Sequence, residues 1–265
     1  MKRGACALGL CLVVGLDGGL AAGAEADPRP ALLRRAGGDT PLSKDLQELC
    51  DHVGGRPTGS PACSRAVAWA QERFRAIGLP KVSTESFSVP ILWLGGTSDV
   101  RVLVPESFQV RSAAAPMSPS MAAPLEARVV DGGQGTAADF ARLGKDASGA
   151  VLLVHQNPMR SLDDLFEEYV RSPPMLAAAS AAGVAAVLLE STRLRGLLYR
   201  HPVAFGALAP LPTAIISREA AERMGRLLAQ GEVRVRMQLQ NQTGGAYASD
   251  NVCLLYTSPS PRDCS

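Results

Sequence analysis

The chain has 265 residues, of which 46% are hydrophobic and 20% are charged, and this predicts one or two globular domains rather than a disordered protein. Lys and Arg (27) nearly balance Asp and Glu (25), so the net charge of +2 gives no case for nucleic-acid binding. Lys2 and Arg3, the apolar run 5–14 and the small residues 22–24 predict a signal peptide over residues 1–24. No later segment has the ~18 apolar residues that a membrane span requires, so we expect an exported protein, periplasmic or extracellular, without stable membrane insertion.

The first part of the remaining chain predicts a linker and two helices. Residues 25–39 are rich in Pro, Arg and Gly, which is typical of a linker. A first helix is predicted between its cap at Thr40 and Gly54, and a second between the cap Ser60 and Gly78. Two strands and a low-complexity segment, expected to be a loop or an irregular sheet edge, follow at 82–91, 99–104 and 111–124.

From residue 125 onward strands and helices alternate, which indicates an α/β domain. The strands at 150–155 and 184–189 are almost wholly apolar, as strands buried on both faces are. In the last strand, apolar residues alternate with Arg and Gln, so one face is expected to be exposed. The predicted strands are 125–130, 150–155, 184–189, 213–216 and 233–239, and the predicted helices are 136–143, 173–182 and 217–229.

The histidines and cysteines do not form a recognisable metal-binding motif. His52 is predicted at a helix end, where a cation suits the helix dipole, His155 closes a buried strand, and His201 lies in a loop. No pair of histidines has metal-site spacing. Cys50 and Cys63 flank one loop, and they are either bridged in an oxidising compartment or free thiols.

One motif suggests a nucleotide site. Residues 133–138, Gly-Gln-Gly-Thr-Ala-Ala, match G-x-G-x-x-A between a strand and a helix, where such glycines bring a pyrophosphate against backbone N–H groups. The next strand is followed by no acidic residue that could bind a ribose. We therefore favour a Gly-rich turn in which Thr136 caps the helix.

No residue is assigned a catalytic role. No serine lies in a nucleophile-elbow motif, and neither Cys50 nor Cys63 stands in a nucleophile signature. The acids at 163, 164, 167 and 168 are predicted to be a solvated helix face. We assign no catalytic, cofactor-binding or metal-ligating residue, and we expect the chain as given to be inactive.

Two stretches carry a family resemblance. Residues 49–61 (LCDHVGGRPTGSP), followed by 66–79 and by Trp-Leu-Gly-Gly at 93–96, resemble the opening of the zinc-dependent aminopeptidase family that includes carboxypeptidase Q, also called plasma glutamate carboxypeptidase. Residues 125–240 resemble the protease-associated domain that many of these peptidases carry as an insert, and 245–252 resembles the return of the chain into the peptidase core.

The resemblance implies an α/β fold in which a protease-associated β/α domain is inserted in an incomplete zinc-exopeptidase α/β core. The implied segments are the beginning of the core at 40–105, the protease-associated domain at 106–240 and the return at 241–252. In the family, two zinc ions held by His, Asp and Glu activate a water that cleaves peptides or dipeptides. Those ligands follow the return, so none can be assigned here, and zinc is expected only in the full-length parent. The alternatives are a secreted, non-catalytic peptide- or protein-binding module and, less favoured, a nucleotide-binding protein.

The C-terminal segment differs in composition from the rest of the chain. Residues 253–263, Cys-Leu-Leu-Tyr-Thr-Ser-Pro-Ser-Pro-Arg-Asp, match the translation of a sequencing-library transposase adapter. We therefore expect the natural sequence to diverge after Val252 and residues 253–265 to be an artefact.

Overall fold

The computed structural model describes residues 27–79, 81–199 and 206–254. The predicted signal peptide, His201 and residues 255–265 lie outside this range. The chain divides into two units, residues 1–48 and residues 49–265. Within the described range, no helix is both long enough and apolar enough to cross a bilayer.

The described residues form six α-helices and ten strands. The helices are α1 (Arg29–Ala36), α2 (Leu42–Glu48), α3 (Pro61–Ala76), α4 (Ala137–Leu143), α5 (Leu162–Ala181) and α6 (Arg218–Leu228). The strands are β1 (Val82–Val89), β2 (Leu92–Val104), β3 (Phe108–Val110), β4 (Ser112–Ala114), β5 (Leu125–Asp131), β6 (Val151–Val154), β7 (Ala186–Glu190), β8 (Thr213–Ile216), β9 (Arg234–Gly244) and β10 (Tyr247–Leu254). A π-helical turn spans Leu49–Val53, and a 3₁₀ turn spans Gly144–Ala147.

The first unit contains a helix where the sequence predicts a linker. Helix α1 has a proline in its first turn, where the missing N–H costs nothing, and Asp27 accepts a hydrogen bond from the Arg29 backbone N–H at 3.0 Å. Pro30 in this position favours helix initiation, although the Pro-, Arg- and Gly-rich composition of the segment predicts a linker. Both α1 and α2 expose their leucines, as Leu33 in α1 and Leu42 in α2 illustrate.

The second unit is built on an eight-stranded mixed sheet in the order β3-β2-β9-β5-β6-β7-β8-β4. Strands β5 to β8 run parallel, and β9, β2, β3 and β4 pair antiparallel. Helices α4 and α5 cover one face of the sheet, and α6 covers the other. This architecture confirms the α/β class that the alternation of elements predicts.

The two central strands are buried on both faces, as their continuous apolar sequences predict. Val151 and Leu153 of β6 are 0% exposed and pack in the core that includes Met224 of α6. Leu152 and Val154 point to the opposite core, which includes Met175 of α5. Burying strands from both sides removes their apolar surface from water and accounts for most of the stability of such a sheet.

A long antiparallel ribbon connects this sheet to a second, two-stranded sheet made of β1 and β10. The pairing register of β1 with β10 continues unchanged into the pairing of β2 with β9, up to Leu94 and Gln242. It then shifts at a bulge next to Gly96, where a Cβ would lie 2.0 Å from the carbonyl oxygen of Gln240. The bulge therefore requires glycine, because no side chain fits at that distance.

The largest error in the predicted elements concerns α5. The sequence interpretation begins this helix at Pro173, but the helix starts eleven residues earlier, after the cap Ser161, and contains Pro173 and Pro174 in its interior. Ser161 and Asp164 form a reciprocal capping box, in which Asp164 accepts from the Ser161 N–H at 2.8 Å. A strong start signal therefore preceded the prolines, and the prolines do not end the helix.

Candidate functional site

Four charged side chains meet at the carboxyl edge of the parallel strands. Asp131 ends β5, His155 follows β6, Glu190 ends β7, and Arg218 is the first residue of α6 after β8. Because the carboxyl ends of parallel strands lie along one edge of the sheet, residues far apart in sequence converge there. This edge is where open α/β sheets place their ligands, and it is the first candidate site of the molecule.

Glu190 is the centre of the cluster. It is 2% exposed, and its Oε1 forms an ion pair with the guanidinium of Arg218, a residue that is itself only 9% exposed. The Arg218 guanidinium also donates to the backbone carbonyl of Gln156. A buried carboxylate needs such partners, since an unpaired buried charge is costly.

His155 is oriented by the same carboxylate. Its Nδ1 lies 2.7 Å from Glu190 Oε2, its Nε2 lies 3.5 Å from Asp131 Oδ1, and its ring packs on Gly225 of α6. The hydrogen bond to Glu190 raises the pKa of His155, helped by the charge of Asp131 and opposed by burial and by Arg218. Each ring nitrogen of His155 therefore faces one carboxylate of the cluster.

This arrangement lacks the parts for nucleophilic catalysis. A general base must be hydrogen-bonded to its nucleophile, and both ring nitrogens of His155 instead face carboxylates. The nearby hydroxyls have other tasks: Ser217 Oγ accepts from the Ala220 N–H at 3.3 Å, and Ser191 Oγ donates to the Leu197 carbonyl at 2.7 Å. The cluster instead ties β5, β6 and β7 to the start of α6.

The cluster also does not fit zinc. In the described parts of the chain, no group of three or more His, Cys, Asp or Glu side chains is placed to hold a metal ion. Asp131, His155 and Glu190 are of the right types, but His155 Nδ1 is engaged by Glu190, and the Arg218 guanidinium occupies the other oxygen of that carboxylate. A cation at this point would displace an existing positive charge.

The Gly-rich turn after β5 is a helix cap. Gly133 and Gly135 have positive φ angles of 54° and 70°. The N–H groups that could meet a pyrophosphate are already bound by Asp139, whose Oδ2 accepts from Gln134 at 3.2 Å and from Thr136 at 3.0 Å. The turn thus carries its own anion, which supports the capping interpretation over a dinucleotide site.

The other predicted residues lie apart from the cluster. Ser60 caps α3 by accepting from the Cys63 N–H at 3.1 Å, as predicted. Cys50 and Cys63 are free thiols, which resolves the open alternative against a bridge. His52 is exposed in the π-helical turn. Of the acids of α5, Asp163 and Glu167 are exposed, whereas Asp164 and Glu168 are partly buried beside a cavity next to the cluster.

Sequence reasoning found His155 but missed its partners. Asp131, Glu190 and Arg218 each stand at the end of an apolar strand or directly after the cap that follows one. A polar residue in that position of several parallel strands was the available signal, because those positions share one edge of the sheet.

Comparison with known proteins gives similarity of structure but not of sequence. No protein-family model matches the chain, and no curated protein matches it. Among solved structures, the chain is similar to a peptidase M28 precursor from Shewanella amazonensis SB2B, with a TM-score of 0.68 and 22% identity over 84% of this chain and 52% of that one.

Two further solved structures are similar to this chain. An aminopeptidase from Aneurinibacillus sp. strain AM-1 gives a TM-score of 0.54 at 19% identity over 80% of this chain and 46% of that one. BSAP, a zinc aminopeptidase from Bacillus subtilis, gives 0.56 at 18% identity, over 79% and 44%. This chain has a zinc-exopeptidase-like fold. It spans about half the length of these proteins.

Proposed function

We propose that this chain is the N-terminal part of an exported zinc exopeptidase of the carboxypeptidase Q type that hydrolyses peptides or dipeptides. Residues 40–105 are the beginning of its peptidase core, and residues 106–240 are an inserted protease-associated domain. The residues that hold two zinc ions and the metal-bound water belong to the part of the parent that this chain does not contain. The chain alone is inactive.

The observation that carries this proposal is an unfinished second sheet. In the part of the chain that the structure describes, the β1–β10 sheet has two strands, and every residue of β1 is exposed or only partly buried. Helix α3 packs against it but fully buries only Ala62, while Ile77 at its end is 66% exposed. An isolated two-stranded sheet is only marginally stable in water, so we expect further strands to complete this sheet.

The eight-stranded sheet, by contrast, has a complete core on both faces. The β2–β9 ribbon leads into it and out of it, which is the connectivity of a domain inserted between two segments of another domain. The similarity in fold to the solved peptidases supports assigning the unfinished sheet to a peptidase core. The misfit between the charged cluster and zinc supports a metal site elsewhere.

The proposal can be tested by sequencing and expressing the gene from which the chain derives. We expect the sequence downstream of Val252 to continue with further strands and with His, Asp and Glu ligands. The longer product, purified from the exported fraction, should release amino acids from dipeptides, and a chelator should abolish that release. A longer product that binds peptides without cleaving them would replace the proposal with a secreted binding module.

A further inference from the structure

A small cavity opens at the carboxyl edge of the sheet, between α5 and the loop that follows β6. Its volume is about 90 Å³. Its floor is formed by the buried Val154 and Met175, and its rim includes the exposed Glu167 and Arg171. A cavity needs about 10–15 Å³ of such volume to hold one water, so this space has room for several waters or for one small solute.

Two hydroxyl residues of low exposure line this cavity. Ser172 is 4% exposed and Thr192 is 8% exposed. A hydroxyl group can both donate and accept a hydrogen bond, so these two residues suit the wall to a polar guest.

Opposite charges line the same space. Glu168 is partly buried in the wall, where desolvation raises its pKa and the Gln156 side chain donates a hydrogen bond to it. Arg171 lies one turn away on the same helix and donates to the Gln134 carbonyl at 3.2 Å, which leaves most of its N–H donors available. A guest with one cationic and one anionic group would satisfy both residues.

Three other ionisable side chains line the cavity, and one of them, Glu167, is exposed at the rim. Asp164 is already bound by the backbone N–H groups of Arg160 and Ser161, at 2.7 Å and 2.8 Å. His155 is held by Glu190. Glu168 and Arg171 are therefore the charged groups best placed to recognise a ligand, and Ser172, which follows Arg171 in sequence, adds a hydroxyl group.

We propose that this cavity binds a free α-amino acid of the size of glycine or alanine, with its ammonium group on Glu168 and its carboxylate on Arg171 and Ser172. The small volume favours short side chains. The ligand is recognised by the common ammonium and carboxylate groups rather than by a side chain. This binding requires no metal and does not depend on the proposed function.

The test is isothermal titration of the whole chain with glycine, alanine, leucine, methylamine and acetate. We expect saturable binding of glycine and alanine, and binding at least ten-fold weaker for the other three solutes. Glu168→Gln should weaken glycine binding at least ten-fold, and Ser172→Ala should weaken it several-fold. Asp163→Asn, an exposed carboxylate on the same helix, is the matched control and should leave it unchanged.

The affinity for glycine should also fall at low pH, because protonation of Glu168 removes the charge that receives the ammonium group. Absence of saturable binding by glycine and alanine would overturn the proposal, as would wild-type affinity in Glu168→Gln. Methylamine binding as tightly as glycine would overturn the carboxylate contact. If Glu168→Gln does not fold, Arg171→Gln at the exposed rim provides the same test from the other end of the ligand.

Discussion

His155 Nδ1 lies 2.7 Å from Glu190 Oε2, and this contact links the ends of two parallel strands through a carboxylate that also pairs with Arg218. Both Glu190 and Arg218 are buried. The three side chains form one unit, in which each member satisfies a polar group that burial would otherwise leave unpaired. The stability of the larger sheet should therefore depend on all three.

Removing the charge of Glu190 should destabilise the protein strongly. Glu190→Gln leaves the buried Arg218 without its counter-ion, and breaking a buried pair in this way costs about 3–5 kcal/mol. Urea unfolding followed by circular dichroism measures the loss. Glu106→Gln, which breaks the solvent-exposed ion pair with Arg223, is the control and should cost less than about 1 kcal/mol. Equal effects of the two variants would contradict the buried-pair account.

The free energy of unfolding should depend on pH through the titration of His155. Its folded-state pKa is raised above the unfolded value of about 6.5, so the folded state binds the proton more tightly. The resulting stabilisation is fully present below about pH 6.5 and is lost as the pH rises through the folded pKa. The free energy of unfolding, measured by urea titration at a series of pH values, should show this decline in the wild type and lose it in His155→Gln. A decline of the same size in both proteins would show that His155 is not its source.

Gly96 should resist substitution more than other glycines with ordinary backbone angles. In Gly96→Ala the new Cβ would meet the Gln240 carbonyl oxygen at 2.0 Å, and the backbone of the ribbon would have to shift. Overpacking of this kind costs about 1–3 kcal/mol. Gly231→Ala, where a Cβ meets nothing within 4 Å, is the control. Thermal melting should separate the two variants, and identical melting temperatures would rule out the tight contact.

Leu153 should tolerate no charge. It is 0% exposed in the centre of β6, and Leu153→Asp would bury a carboxylate with no partner at a cost of several kcal/mol. We expect an insoluble or unfolded product. Leu162→Asp, at a leucine that is 72% exposed on α5, should be soluble and melt like the wild type. Normal folding of Leu153→Asp would contradict the burial of this strand.

The sequence predicted the parts of the fold in which local pattern and tertiary structure agree. Continuous apolar runs at β6 and β7 require burial on both faces, and alternation in β9 places Val235 and Met237 in the core. The predicted start of α5 was wrong because a local rule has two outcomes: the prolines at 173 and 174 lie within the helix rather than at its beginning.

The charged cluster could be predicted only in part. The sequence places His155 at the end of a strand, but its partners Asp131 and Glu190 come from strands 24 residues before it and 35 residues after it. The pairing depends on strand order, which periodicity does not give. The cavity could be predicted even less from the sequence, because Ser172 lies in a part of α5 that the sequence interpretation left outside the helix.

We propose that this chain carries the scaffold of a zinc exopeptidase without its metal site. The most direct measurement is the zinc content of the purified chain after loading and desalting, by inductively coupled plasma mass spectrometry, together with hydrolysis of dipeptides. We predict less than one zinc per ten chains and no chelator-sensitive hydrolysis. One or two zinc ions per chain with chelator-sensitive turnover would contradict the claim.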